Sequence, residues 1–189
     1  MNDLQVQIAS GKKTQAFSGI ADDATRLVNL KSELAQAEQF LQNIIITEKR
    51  LDLMALALDQ IEDIARKART DIATSFNGSQ ADDSQLASLM QASLDQLVSI
   101  LNTKDDSRFL FAGGNVDSKP VDLNNGTYTT PVITGPPNPT FDQTADTGYY
   151  EGDATTQATR IDDNFSVSYG INADQDAFEK LIRTLDNVS

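Results

Sequence analysis

Cysteine, histidine and tryptophan are all absent from the sequence. Without cysteine there are no disulfides, no thiolate metal sites and no cysteine nucleophile, although the compartment stays open. Without histidine the chain lacks the commonest general base and the commonest transition-metal ligand. No run of 18 apolar residues exists, so no membrane insertion is expected. The start, MNDLQVQIASGKK, has no basic segment leading into an apolar one, so no cleaved Sec-type leader is expected. Basic residues are scarce, 15 against 28 acidic, for a net charge of -13. Nucleic acid and anionic membranes are therefore not expected partners, because phosphate binding needs a basic face. Aromatics are only 6% and hydrophobic residues 39%. That is thin for a compact globule and suits helices that each bury one narrow stripe.

What is present is unevenly distributed. Between Gly19 and Gly78 there is neither glycine nor proline, and all five prolines fall between Pro120 and Pro139. The first part therefore reads as helix and the middle as turn-rich. A helix starts at Asp22 or Asp23, whose carboxylates suit the free N–H groups of a first turn. Leu27, Leu30, Leu34, Ala37, Leu41 and Ile44 then recur in steps of three and four, a heptad pattern. Glu48 interrupts the row, which resumes at Leu51, Ala55 and Leu58, with a second row at Ile61, Ala65, Ala68 and Ile72. A helix from Asp22 to Ile72 would be about 75 Å long and must be paired along its length. Ile44-Ile45-Ile46 widens the apolar surface toward a second side.

Asn77-Gly78-Ser79 ends this helix, and Asp82, Asp83 or Ser84 caps the next. The second stripe is Leu86, Met90, Ser93, Leu97 and Ile100, with Asp105-Asp106-Ser107 as its end. The short connection makes the two helices antiparallel neighbours. Phe109-Leu110-Phe111, stopped by Gly113-Gly114, reads as a buried strand. Residues 115–148 read as a surface excursion of turns and short strands. Ala158–Ile161 and Phe165–Tyr169 read as a hairpin around Asp162-Asp163-Asn164, with Phe165, Val167 and Tyr169 on its apolar face. A last helix starts at Asp174 or Asp176 and carries Phe178, Leu181, Ile182 and Leu185. It stops in mid-pattern at Asn187-Val188-Ser189, and Leu4, Ile8 and Gly11 read as the tail of an earlier helix; both stubs are expected of a core fragment. The fold class expected is mainly α with a β-rich flank, an elongated rod of long antiparallel helices plus a hairpin and turn-rich segment. The expected division is 1–108 for the helical part, 109–170 for the hairpin and variable segment, and 171–189 for the start of a C-terminal rod helix.

Candidate chemistry is sparse. Glu48 and Glu62 are fourteen residues apart, about 21 Å along a helix, too far to share a substrate. Asp162-Asp163-Asn164 and Asn124-Asn125-Gly126 lack calcium-loop spacing and are explained by turn chemistry. Ser10-Gly11-Lys12-Lys13 lacks the upstream glycine of a phosphate loop and reads as a helix end. Tyr128, Phe141, Tyr149 and Tyr150 could stack on sugars, but anchoring a poorly cored segment is the simpler use. No catalytic, metal or cofactor residue is expected, and the chain is not expected to be an enzyme.

Four stretches resemble the flagellin superfamily of bacterial flagella. They are Ile8-Ala9-Ser10-Gly11-Lys12-Lys13; Ala21-Asp22-Asp23 leading into Ser32–Ile44; Ser107-Arg108-Phe109-Leu110-Phe111-Ala112-Gly113; and Tyr149-Tyr150-Glu151-Gly152-Asp153, with Arg160 and the hairpin to Gly170. The first two are shared with filament flagellins. The last two are most similar to the family's hook-associated junction proteins, with Ser107 standing where those carry glycine. The resemblance implies a structural subunit joining hook to filament, exported by the flagellar type III route without a cleaved signal peptide. It implies contacts with copies of itself, with a neighbouring hook-associated protein and flagellin, and with an export chaperone. Terminal helices that form the family's inner tube are absent here, so the fragment is expected to be monomeric. The apolar edge formed by Leu27, Leu30, Leu34, Leu41, Ile44, Ile45 and Ile46 is the expected interface. Two other readings stay open: filament flagellin, and a surface module binding glycan or host through 115–148.

Overall fold

A computed structural model describes residues 5–6, 8–9, 11, 21–77, 83–131 and 143–189. The elements are α1 (Ala21–Asn77), α2 (Asp83–Leu101), β1 (Lys104–Asp105), β2 (Arg108–Phe109), β3 (Gln157–Asp162), β4 (Phe165–Tyr169) and α3 (Asp176–Asp186). The structure is thus helix-rich with two small antiparallel strand pairs, β1–β2 and β3–β4. Gln5, Val6, Ile8 and Ala9 are helical and Gly11 has φ +64, the left-handed conformation that ends helices. The helix-end reading at 8–13 rests otherwise on Ser10, Lys12 and Lys13, which lie outside the described residues, as do Leu4, Gly78, Asp82 and Phe141.

α1 is one unbroken helix of 57 residues, about 85 Å long. It follows from the chemistry of the segment: no residue in it breaks a helix, and straight-chain residues and alanine predominate. Exposed pairs such as Glu62–Arg66 and Lys67–Asp71 add a few tenths of a kcal/mol each. Its buried residues are Met54, Ala57, Ile61, Ile64 and Ala68, again in steps of three and four. This face is displaced by one position from the row Leu51, Ala55 and Leu58, a rotation of about 100°. Leu51 and Leu58 are instead exposed, so the row read as resuming after Glu48 is not the packing face. Of the second row, Ile61 and Ala68 are buried and Ala65 and Ile72 are half-buried.

α2 supplies Met90, Leu94, Leu97, Ile100 and Leu101 to the same core. Arg50 reaches Asp105, just beyond the end of α2, while Asn77 is joined to Asp83 by five residues. The two helices are therefore antiparallel. α2 stops at Leu101, earlier than Asp105-Asp106-Ser107. The reason lies in the next residue: the Asn102 side chain turns to the Val121 backbone, accepting from its N–H and donating to its carbonyl at 3.0 Å each. The chain then makes the tight β1–β2 ribbon, with Asp106 at φ +53. The strand read at Phe109–Phe111 shrinks to Arg108–Phe109. Leu110 and Phe111 are buried but irregular, the Phe111 ring meeting Phe178 of α3 edge-on at 6.3 Å.

The segment 115–148 is only partly a surface excursion. Within it Pro120 and Val121 are fully buried, as is Tyr149 just beyond it, and a bridge pairs Val121 with Tyr150. Tyr149 donates to the Ala173 carbonyl at 3.0 Å and stacks edge-on against Tyr128. Asn125 accepts from the amides of Thr127 and Tyr128, which is the turn chemistry expected of Asn124-Asn125-Gly126. α3 begins at Asp176 and buries Phe178, Ile182 and Leu185.

One carboxylate joins the pieces. Asp105 is 5% exposed and accepts from Lys49 Nζ at 2.5 Å and from Arg50 Nε at 3.3 Å. Arg50 also donates to the Tyr169 hydroxyl at 3.2 Å. The hydrogen bond from Lys49, followed by that from Arg50, holds Asp105 below the usual carboxylate range against the opposing effect of burial. A depressed folded pKa contributes stability that is present above about pH 4 and lost as pH falls through the folded value. Asp105→Asn is expected to lower stability by about 2 kcal/mol at pH 7. Thermal melts of the two proteins should converge as pH falls toward 2; a constant gap would contradict this account.

Candidate assembly surface

Along α1 one helical face changes chemistry. At its C-terminal half the face is apolar and meets α2. Toward the N-terminus the same three-four register continues past the half-buried Phe40 and through the polar residues Arg50, Thr47, Asn43 and Gln36. These residues hold the β3–β4 hairpin. Asn43 donates to the Arg160 carbonyl at 3.0 Å, and the Thr47 and Thr159 hydroxyls lie 2.8 Å apart. Gln36 donates to the Asp163 carboxylate. The hairpin is therefore docked by hydrogen bonds more than by apolar burial. Of its expected apolar face only Tyr169 is buried, while Phe165 is 58% and Val167 38% exposed.

The predicted interface residues fall on another side of α1. Leu27, Leu30, Leu34, Leu41, Ile45 and Ile46 are exposed, from 45% to 59%, and only Ile44 is half-buried. Val28 adds to this surface at 65% exposure. Scattered exposed leucines are ordinary; here Leu27, Leu30, Leu34 and Leu41 form a row on one side of a helix. The 107–113 motif divides: Ser107 and Arg108 are exposed, and Phe109, Leu110, Phe111, Ala112 and Gly113 are buried. Lys104 stands 4.2 Å above the Phe109 ring. Gly113 has φ +66, and a Cβ there would lie 2.3 Å from the Asp153 carbonyl oxygen, so no other residue fits. Asp153 accepts from the Gly114 amide at 2.7 Å and the Thr155 amide at 2.9 Å, which holds its carboxyl below the usual range. The 107–113 and 149–153 motifs, distant in sequence, are thus one structural unit.

Sequence reasoning missed the Lys49–Arg50–Asp105–Tyr169 cluster and the polar ladder beside it. The available signal was an adjacent Lys-Arg pair with Arg50 at a heptad core position, where an apolar residue is ordinarily expected. Among the described residues no group of three or more acidic side chains could hold a metal, and no helix is long and apolar enough to cross a membrane.

No protein-family model matches the chain, and no curated protein matches it. Solved structures do. The chain is similar to FlgL of Xanthomonas campestris, at 26% identity and TM-score 0.56, over 75% of this chain and 40% of that one. It is similar to flagellar hook associated protein-3 of Legionella pneumophila, at 22% identity and TM-score 0.57, over 78% of this chain and 40% of that one. FlgL of Bacillus cereus aligns at 17% identity and TM-score 0.63, over 87% of this chain and 71% of that one. This chain therefore spans 40% of the length of the Xanthomonas and Legionella proteins.

Two substitutions separate the faces of α1. Ile61→Ala empties a core position and is expected to cost about 2–5 kcal/mol. Leu34→Ala removes atoms already in water and should change stability by about 0.5 kcal/mol or less. Urea denaturation measures both; comparable losses would mean that the Leu27–Leu41 edge is covered within the chain.

Proposed function

Starting from the fold that the chain shares with flagellar hook-associated junction proteins, we propose that it is the helical core of a structural subunit joining hook to filament. The observation that carries this reading is the uncovered apolar row from Leu27 to Ile46 on a helix of 57 residues. A row of that length is suited to axial and lateral packing of rods, and the joint it makes is mechanical. Its partners would be further copies of the chain, a neighbouring hook-associated protein and flagellin, with a chaperone during export by the type III route. The site of action would be extracellular, in the flagellum, and no chemical turnover is involved. In this reading 1–108 is the main part of the rod, 109–170 its flank, and 171–189 the start of a further rod helix.

The structural neighbours, FlgL and hook associated protein-3, favour the junction protein over filament flagellin. A glycan-binding role for the middle segment is disfavoured by its aromatics. Tyr149 is fully buried, and the Tyr128 hydroxyl is tied to Asp186 at 2.9 Å.

In the full-length protein, Leu30→Asp with Leu34→Asp is expected to abolish swimming of a complemented deletion strain while leaving secretion intact. Soft-agar motility and blotting of the secreted fraction read the two effects. Unimpaired swimming would remove the Leu27–Ile46 edge from the assembly. Polymerisation of the pure full-length protein into long filaments would favour flagellin instead.

A further inference from the structure

The chain carries nearly two acidic residues for each basic one, yet one groove reverses that balance. It lies between α1, the 108–114 segment and β3, with a volume of about 490 Å³. Its eleven lining residues include Arg50, Arg108 and Arg160, the hydroxyls of Thr155, Thr156 and Tyr169, and no carboxylate. Three acids at its edge are already engaged, and Arg50 and Arg160 are two of the groups that engage them, which leaves Arg108 as the groove's unpaired cation among the described residues. Asp105 is held by Lys49 and Arg50, Asp153 by the Gly114 and Thr155 amides, and Asp163 by Gln36 and Arg160. Arg108 is paired with Asp105 across the β1–β2 ribbon, so it stands beside this cluster. Its side chain is exposed and makes no ion pair or side-chain hydrogen bond among the described residues. A cation left over beside engaged carboxylates is a site for an acid from outside the chain.

The chain itself has a fitting counterpart. Glu48, Asp52 and Asp59 are exposed and have no ion-pair partner among the described residues. At steps of four and seven they share one side of α1 and extend the exposed row of Leu27, Leu34 and Leu41. The row is thus apolar at one end and acidic at the other. It cannot fold back onto the groove of its own chain, because Arg50 of the groove lies on the same rigid helix on a different face.

We infer that the Arg50–Arg108–Arg160 groove receives the Glu48–Asp52–Asp59 row of a second copy of this chain. The contact rests on the assembly reading given above and specifies the partner surface. Exposed charge pairs are individually weak and salt-screened. The contact therefore orients copies during assembly and does not by itself make a stable dimer, for which about 800 Å² per partner is usual.

Nitrogen-15-labelled chain mixed with unlabelled chain at millimolar concentration tests it. Saturable amide shifts are expected at Gly114 and Thr155–Thr159, fading between 50 and 500 mM salt. Labelled Arg108→Glu should lose at least about tenfold in affinity for the wild-type chain, and unlabelled Glu48→Lys with Asp52→Lys should restore it. Melting temperature confirms that each variant is folded. No shifts at low salt, shifts untouched by Arg108→Glu, or loss without rescue by the reversed partner would each overturn the contact. Inorganic phosphate competing the second copy away at low millimolar concentration, with no rescue in the swapped pair, would mark a free-anion site and overturn it too. The assembly reading is read separately by motility: shifts with rescue in solution but unimpaired swimming of Arg108→Glu would leave the contact standing and remove it from the flagellum.

Discussion

A helix of 57 residues with partners of 19 and 11 residues has a length mismatch that the rest of the structure answers. In length this is about 85 Å against about 28 and 16 Å. No arrangement of α2 and α3 covers α1 from end to end. The C-terminal half of α1 is closed over by apolar packing. The next stretch is covered by a hairpin of two short strands, and among the described residues beyond it Leu27, Val28, Leu30 and Leu34 are exposed. Along α1 the boundaries lie where one kind of cover gives way to another.

Asp105 sits at the first of these boundaries. Along α1, on the C-terminal side of its partners Lys49 and Arg50 are the apolar contacts of Met54 to Ala68, and on the N-terminal side are the hydrogen bonds of Gln36, Asn43 and Thr47. The carboxylate ties α1 to the β1–β2 ribbon, and Arg50 carries the connection to Tyr169 and so to the hairpin. Burying a charge is unfavourable unless it is paired and hydrogen-bonded, and both conditions are met by adjacent residues of one helix. This fixes the register between α1 and the 104–114 segment. The 149–153 turn is then held against that segment by Asp153 and by Gly113, whose missing side chain lets the backbones approach.

The hairpin differs in kind from the core. It is attached through polar groups, and it leaves Phe165 and Val167 in water. Such an attachment contributes little net stability per bond, about 0.5–1.5 kcal/mol, but it is directional. It places Arg160 beside Arg50 and Arg108 and so builds the basic groove in an acidic chain. Two kinds of contact are therefore separated along α1: the apolar half carries the core, and the other half carries the hydrogen-bonded hairpin and the exposed leucine row.

The sequence by itself determined the elements. The absence of glycine and proline from 20 to 77 and the three-four spacing specify a long helix, and alternation at 165–169 specifies a strand. Phe178, Ile182 and Leu185 specify the buried side of α3, because local periodicity reflects which side chains share a face. Two apolar registers one residue apart were both written in α1, Leu27 to Leu58 and Met54 to Ala68. Only the tertiary structure decided which is buried, because that choice depends on the shape and reach of α2, which periodicity does not contain. The ladder from Gln36 to Arg50 was invisible for a related reason: polar residues at core positions carry no hydrophobic signal, and their partners at Asp105, Arg160 and Asp163 lie more than 50 residues away. The early end of α2 at Leu101 likewise depends on Asn102 meeting Val121, a long-range pairing that no local propensity encodes.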